Sequence, residues 1–191
     1  PIRRSPSAHA LEAARRETGR ATLYAPSIVG GPRVLAERVR IARDEGVGMV
    51  LLAPTLIGMP AFVELVREHL DVPVLAHPSY AGAARVAPPL LLGKLFRLMG
   101  ADAVIYPNFG GRFAYSPETC AGIADASRGP WQDVKPCLPV PAGGMTVERV
   151  PELARFYGDD VMLLIGGSLL AADDVLARTR EFVRKVEGST K

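Results

Sequence analysis

The chain has 191 residues, 48% hydrophobic and 23% charged, with a net charge of +3. That suits one globular domain with a sizeable core. The mild charge is spread over helical segments, and the six Phe, five Tyr and one Trp are not interleaved with basic runs, which speaks against a nucleic-acid surface. No stretch of about 18 unbroken apolar residues reads as a membrane span. Cys120 and Cys137 have neither metal-type spacing nor the number needed for a disulfide framework, so a reducing cytoplasm is the expected compartment. The opening Pro1-Ile2-Arg3-Arg4-Ser5 carries no apolar run after its charges, so no secretory signal is read. Pro1 is not an initiator Met; either Met was removed or the chain is a piece of something longer.

In chain order, residues 7–18 predict a helix with no strand before it, and residues 22–25 a first strand. Pro32 sits at a first helical position, with Leu35, Val39 and Ala42 on one face. Residues 49–53 predict a second strand, Pro60 opens another helix, and residues 72–76 and 103–106 predict the third and fourth strands. Ser116-Pro117-Glu118 reads as an N-cap, a first helical residue and an acidic first turn. Residues 137–140 and 161–165 predict the last two strands, followed by helical faces at Val150, Leu153 and Tyr157, and at Val175, Phe182 and Val186. Gly19, Gly46, Gly100 and Gly158 each stop a helix shortly before a strand. Near-continuous apolar strands alternating with helices mean a parallel sheet. The count is one leading helix and six strand–helix units. A closed barrel needs eight strands, whereas six also suit an open doubly wound sheet. No G-x-G-x-x-G follows the first strand and no P-loop occurs.

Two strands end in glycine pairs: Val140-Pro141-Ala142-Gly143-Gly144 and Ile165-Gly166-Gly167-Ser168. A strand that stops in Gly-Gly before a helix exposes backbone N–H groups where the helix dipole favours negative charge. Two such stops in succession look like the phosphate site a (β/α)8 barrel builds after its seventh and eighth strands. Gly143, Gly144, Gly166 and Gly167 are therefore candidate substrate-binding residues for a phosphorylated small molecule. His77 follows Val74-Leu75-Ala76 at a strand's C-terminal end, where an imidazole would bind phosphate or shuttle a proton, and is the catalytic candidate. Arg112, in the Gly110-Gly111 loop, would clamp phosphate or sit on the surface. Asn108 would orient a substrate oxygen or only start a turn. Ser27 and Thr55 end strands and would line a pocket. Lys94 reads as a solvated helical lysine, His9 and His69 as structural, and both cysteines as core thiols.

The run Leu90-Leu91-Leu92-Gly93-Lys94-Leu95-Phe96-Arg97-Leu98-Met99-Gly100-Ala101-Asp102 resembles a helix and strand approach of the RuBisCO large-subunit barrel. Leu138-Pro139-Val140-Pro141-Ala142-Gly143-Gly144-Met145 and Leu164-Ile165-Gly166-Gly167-Ser168 do the same. Residues 103–113 are closest to the RuBisCO-like, form IV branch. The resemblance covers about residues 22–186. It implies a partial (β/α)8 TIM barrel, six of eight strands, strands 3 to 8. Residues 1–191 would be the C-terminal part, with the N-terminal α/β domain and strands 1 and 2 absent. His77 falls at the position of a family active-site His, while Pro78 stands where true RuBisCO has a phosphate-binding Arg. Ala142 replaces a substrate-binding Ser, Gly143 and Gly144 match the glycines after it, and Gly166 and Gly167 match the phosphate-binding glycines. The loop at 107–113 lacks the mobile Lys that the family uses on the carboxylated intermediate. The family's magnesium motif, a carbamylated Lys followed by Asp and Glu, has no counterpart here, so no metal ligand is carried over.

The resemblance thus implies, for the intact protein, magnesium-dependent enolisation or isomerisation of a phosphorylated sugar derivative without CO2 fixation. A homodimer is expected, and neither nucleic acid nor a membrane is a partner. The alternative is a non-catalytic fragment, or a phosphate-binding or assembly module.

Overall fold

The computed structural model describes residues 6–111, 113 and 115–189. Five strands form one parallel sheet in chain order: β1 (Ser27–Ile28), β2 (Val50–Leu52), β3 (Val74–Ala76), β4 (Ala103–Pro107) and β5 (Leu138–Ala142). The sequential order is what right-handed crossovers through helices produce when no crossover skips a neighbour. The connections are helical: α1 (Pro6–Thr18), α2 (Pro32–Asp44), α3 (Pro54–Ile57), α4 (Met59–Glu64) running into a π turn over Leu65–His69, and a π-wound segment Pro89–Leu95 continuing into α5 (Phe96–Leu98). After β4 come α6 (Pro117–Arg128), α7 (Val150–Tyr157), α8 (Gly167–Leu170) and α9 (Val175–Ser189).

The two faces of the sheet differ. Val50, Leu52, Val74, Ala76, Val104 and Tyr106 alternate onto one face and share a core with Leu35 and Val39 of α2, Phe62 of α4, Leu92, Phe96, and Ile123 of α6. Leu75, Ala103, Ile105 and Val140 point to the other face. Among the described residues the hydrophobic side chains packed against them are Leu51, Leu138, Ala142 and Leu164, none of which lies in a helix. A doubly wound sheet would carry helices on both faces.

Several local predictions hold. Ser116 caps α6, accepting from the Thr119 N–H at 3.2 Å. Leu35, Val39 and Ala42 are the buried residues of α2, and Val150, Leu153 and Tyr157 those of α7. Gly93 packs so closely on α6 that an added Cβ would lie 2.5 Å from that of Ala126.

Others are corrected. Residues 22–25 form no strand; pairing begins at the Pro26 carbonyl, which accepts from the Leu51 N–H, and β1 follows at Ser27. Leu23 and Tyr24 are exposed, and Leu23 leans over the bare backbone of Gly48, where an added Cβ would sit 2.6 Å from its Cδ2. Apolar content alone does not make a strand where the next strand offers no aligned partner. Residues 161–165 run extended beside β5, with Met162 and Leu164 N–H groups donating to the Pro139 and Pro141 carbonyls, but Leu164 makes only a single parallel bridge, to Ala142. Cys137 precedes β5 rather than lying in it. The Val175, Phe182, Val186 face is only partly covered, and α9 has no fully buried residue.

Arg97 fixes the long approach to β5. It is only 3% exposed, and its guanidinium donates to the carbonyls of Gly129 (2.7 Å), Ala126 (3.3 Å), Val134 (2.5 Å) and Lys135 (2.5 Å). Trp131 lies against the same guanidinium, 6.0 Å from its ring centroid, and Lys94 lies 5.4 Å from that centroid. Lys94 is thus solvated with an aromatic floor. Cys120 and Cys137 are buried, and burial, followed by the nearby Asp102 carboxylate, pushes the Cys137 thiol up to about 12. We expect Arg97→Met to lower unfolding free energy by about 3 kcal/mol or more, because acceptors that lose a charged donor stay buried. Denaturant melts check this; a loss below about 1 kcal/mol would mean that water replaces the guanidinium.

Candidate functional site

The C-terminal ends of the strands carry the candidates, and the sheet register determines which of them meet. Pro107 of β4 pairs with Ala142 of β5, and Ala142 pairs with Leu164. The loops that follow therefore leave at one level. They are Asn108 to Gly111, Gly143-Gly144, and Gly166-Gly167. The Asn108 N–H donates to the Ala142 carbonyl at 2.8 Å, closing the first pair of loops at its base.

The first two loops touch backbone to backbone. A Cβ on Gly144 would lie 2.7 Å from Gly111 Cα and 2.9 Å from the Gly110 carbonyl oxygen. A Cβ on Gly111 would lie 2.9 Å from the Gly143 carbonyl group. Gly144 also has φ +65°, a left-handed conformation that any side chain strains. Gly143, Gly166 and Gly167 have nothing within 4 Å of the position a Cβ would take, and all three are exposed. Gly166 caps α8 and Gly167 is its first residue, so the leading N–H groups have no intrahelical acceptor. The Ser168 hydroxyl is buried, and among the described residues it has no hydrogen-bond partner. A buried hydroxyl without a partner invites an explanation.

Arg149, just before α7, joins the two touching loops. Its Nη1 donates to the Phe109 and Gly144 carbonyls, each at 3.2 Å. Its Nε and Nη2 form a bidentate pair with Glu152, both at 3.1 Å, and this guanidinium holds the Glu152 carboxyl below its usual range. The guanidinium stacks 5.1 Å from the Phe109 ring centroid.

Asn108 is fully buried. Its Oδ1 accepts from the Tyr157 hydroxyl at 2.6 Å, and its Nδ2 faces Met145 Sδ at 4.0 Å. Its amide is thereby committed to the core of α7, where it holds the loop. Arg112 lies outside the described residues.

His77 directly follows β3, half-buried, and its backbone N–H donates to the Leu52 carbonyl of β2 at 2.7 Å. Its Nδ1 lies 2.7 Å from Ser79 Oγ and accepts from the Ser79 N–H at 3.2 Å. Thr55 Oγ1 donates to the Ser79 carbonyl. Burial lowers the pKa of His77. Thr55 thus meets His77's neighbour, whereas Ser27 lines a separate cavity of about 460 Å³ with Thr22, Tyr24, Ile41 and Val47, beside β1. Among the described residues no group of three or more His, Cys, Asp or Glu could hold a metal ion. Among the same residues no helix is long and apolar enough to cross a membrane.

Sequence reasoning missed Arg149, Ser79 and the packing role of Gly111. Only Gly111 left a signal, as one of two glycines facing a second glycine pair; the partners of Arg149 come together only in the fold.

No family model matches the chain. It is 55% identical over 169 residues to "Ribulose bisphosphate carboxylase-like protein 1" of Rhodopseudomonas palustris, which covers 88% of this chain and 46% of that protein. It is 49% identical over 183 residues to the 5-methylthioribulose-1-phosphate isomerase of Rhodospirillum rubrum, covering 95% of this chain and 49% of the isomerase. The crystal structure of a Rubisco-like protein from Rhodopseudomonas palustris superposes with a TM-score of 0.87 at 46% identity, over 94% of this chain and 49% of that one. The chain spans about half the length of the curated relatives it matches. With that identity and that superposition over nearly all of its length, the chain is a homologue of the RuBisCO-like proteins.

Proposed function

We propose that this chain forms the phosphate-binding side of a RuBisCO-like (β/α)8 barrel, its strands being the third to the eighth. The whole protein then moves a proton next to the carbonyl of a phosphorylated sugar derivative and fixes no CO2. The observation that carries the reading is the level alignment of two Gly-Gly loops in which Gly143, Gly166 and Gly167 are exposed, with open space where a side chain would sit. Peptide N–H groups at Gly143, Gly144, Gly166 and Gly167 suit phosphate oxygens. The cluster of non-helical residues on one sheet face supports a barrel interior, and the cavity beside β1 supports a further strand on that edge.

The relative named 5-methylthioribulose-1-phosphate isomerase supports a five-carbon keto sugar phosphate as the substrate class. Isomerising such a sugar breaks a C–H bond next to the carbonyl; the electron pair forms an enolate, and a proton returns at the neighbouring carbon. His77, at a strand end, is the side chain we place against the oxygen that gains charge. Asn108 holds the loop after β4 from within. Carboxylation would need a mobile cation over the new carboxylate. Residues 107–113 hold no Lys, and Arg112, with its planar fork, suits an anion already formed. Magnesium and a homodimer belong to the same reading, with the metal's ligands elsewhere in the whole protein.

Two measurements on the whole protein test this. Gly167→Val places a side chain in open space at a helical position, so the fold persists while calorimetric binding of inorganic phosphate is lost; undiminished binding would move the site elsewhere. Gly144→Ala, in contrast, drives a Cβ into the Gly111 backbone and destabilises the fold by about 2 kcal/mol, measured in denaturant. The reaction itself is read as deuterium exchange from solvent into ketose phosphates, followed by NMR, beside incorporation of labelled bicarbonate. Exchange without carboxylation is expected. Carboxylation at an enzymatic rate, or neither activity, would overturn the proposal.

A further inference from the structure

The Ser79 peptide N–H can only donate, so the Nδ1 facing it at 3.2 Å must present its lone pair. The Ser79 hydroxyl, 2.7 Å from the same nitrogen, can add a second donor. A neutral imidazole whose Nδ1 accepts carries its hydrogen on Nε2. Protonating Nδ1 would set two donors against each other, which works in the same direction as burial. Ser79 is itself anchored, because its carbonyl accepts from Thr55 Oγ1 across the β2 and β3 ends. Among the described residues, Nε2 has no hydrogen-bond partner.

We propose that Ser79, anchored by Thr55, is a positioning residue that fixes His77 with its hydrogen on Nε2, so that His77 serves the reaction as a hydrogen-bond donor and not as the base. The functional half of this inference rests on the proposed proton transfer. A ring arriving with Nε2–H has no free lone pair to take a proton, since Nδ1 is occupied by Ser79. What it offers is a donor to an oxygen that gains negative charge as the neighbouring C–H bond breaks. Such a preformed donor strengthens as the charge grows, without a proton leaving His77.

The test uses the whole protein with 15N-labelled histidine. The His77 signals are assigned by their loss in His77→Gln, and a two-bond nitrogen–proton correlation spectrum at neutral pH reads which nitrogen carries hydrogen. A neutral ring protonated on Nε2 is expected. In Ser79→Ala the peptide donor remains and the hydroxyl is lost, so the tautomer persists while the Nδ1 signal moves toward that of a less strongly bonded nitrogen. Hydrogen on Nδ1, or a charged ring, would overturn the assignment, and an unmoved Nδ1 signal in Ser79→Ala would overturn the hydroxyl's part in it.

Activity supplies the second readout. Glutamine can place an amide N–H where Nε2–H stood but offers no basic lone pair. His77→Leu should lose about a hundredfold in kcat, while His77→Gln retains at least about a tenth of it. Equal loss in the two variants would rule out the donor role. If the unaltered protein exchanges no proton on any ketose phosphate, the proposed reaction falls, and the spectrum still decides the tautomer.

Discussion

The close approach of Gly111 to Gly144 is the constraint on which the rest of the site depends. Two loops leaving neighbouring strands meet as bare backbone, with hypothetical side-chain positions 2.7 to 2.9 Å from peptide atoms across the contact. Nothing larger than hydrogen fits between them. Everything around the contact preserves it: the β4–β5 register brings the loops level, the Asn108 N–H ties their base, and Arg149 spans their carbonyls. The wall of the site is therefore made of peptide groups, whose hydrogen-bonding capacity does not titrate and whose placement is set by the sheet.

The sequence was legible where one residue type has one physical use. Prolines and the Ser116 cap marked helix starts, and glycine pairs marked the level at which strands stop. The apolar runs at 49–53, 72–76, 103–106 and 137–140 coincide with β2 to β5 because those strands are flanked on both sides and need continuous apolar faces. The run at 22–25 looked the same and is not a strand, since partner alignment, which no local pattern encodes, starts the pairing at Pro26. The dispersed partners of Arg97 and Arg149 were equally invisible: both side chains bind carbonyls of segments that only the fold brings near. Asn108 shows the reverse limit. A turn-forming residue in a strand-end loop reads as a site residue, yet its amide faces inward to Tyr157.

The comparison with RuBisCO-like proteins and the geometry differ in what they supply. The geometry supplies two glycine loops at one level and a histidine whose Nδ1 accepts from the Ser79 N–H. The relatives supply a chemical setting, one of them being named as the isomerase of a sugar phosphate, and the chain matches about half of their length. Fold and phosphate binding are shared among many reactions, so side chains such as His77, and loops such as 107–113, separate one chemistry from another.

Arg97 has a consequence for robustness. Buried charges are usually neutralised by carboxylates, which lose their charge in acid and attract less in salt. Arg97 is balanced by four peptide carbonyls, which have no proton to gain in the ordinary pH range and no net charge to screen. The fastening of the segment from α6 to β5 is thus indifferent to acidity and ionic strength. The surface pairs, such as Arg178 with Glu148 and Glu181, are open to both. Where this protein loosens in acid or brine, it should loosen from its outer helices inward, with the approach to the β5 glycine loop among the last parts to move.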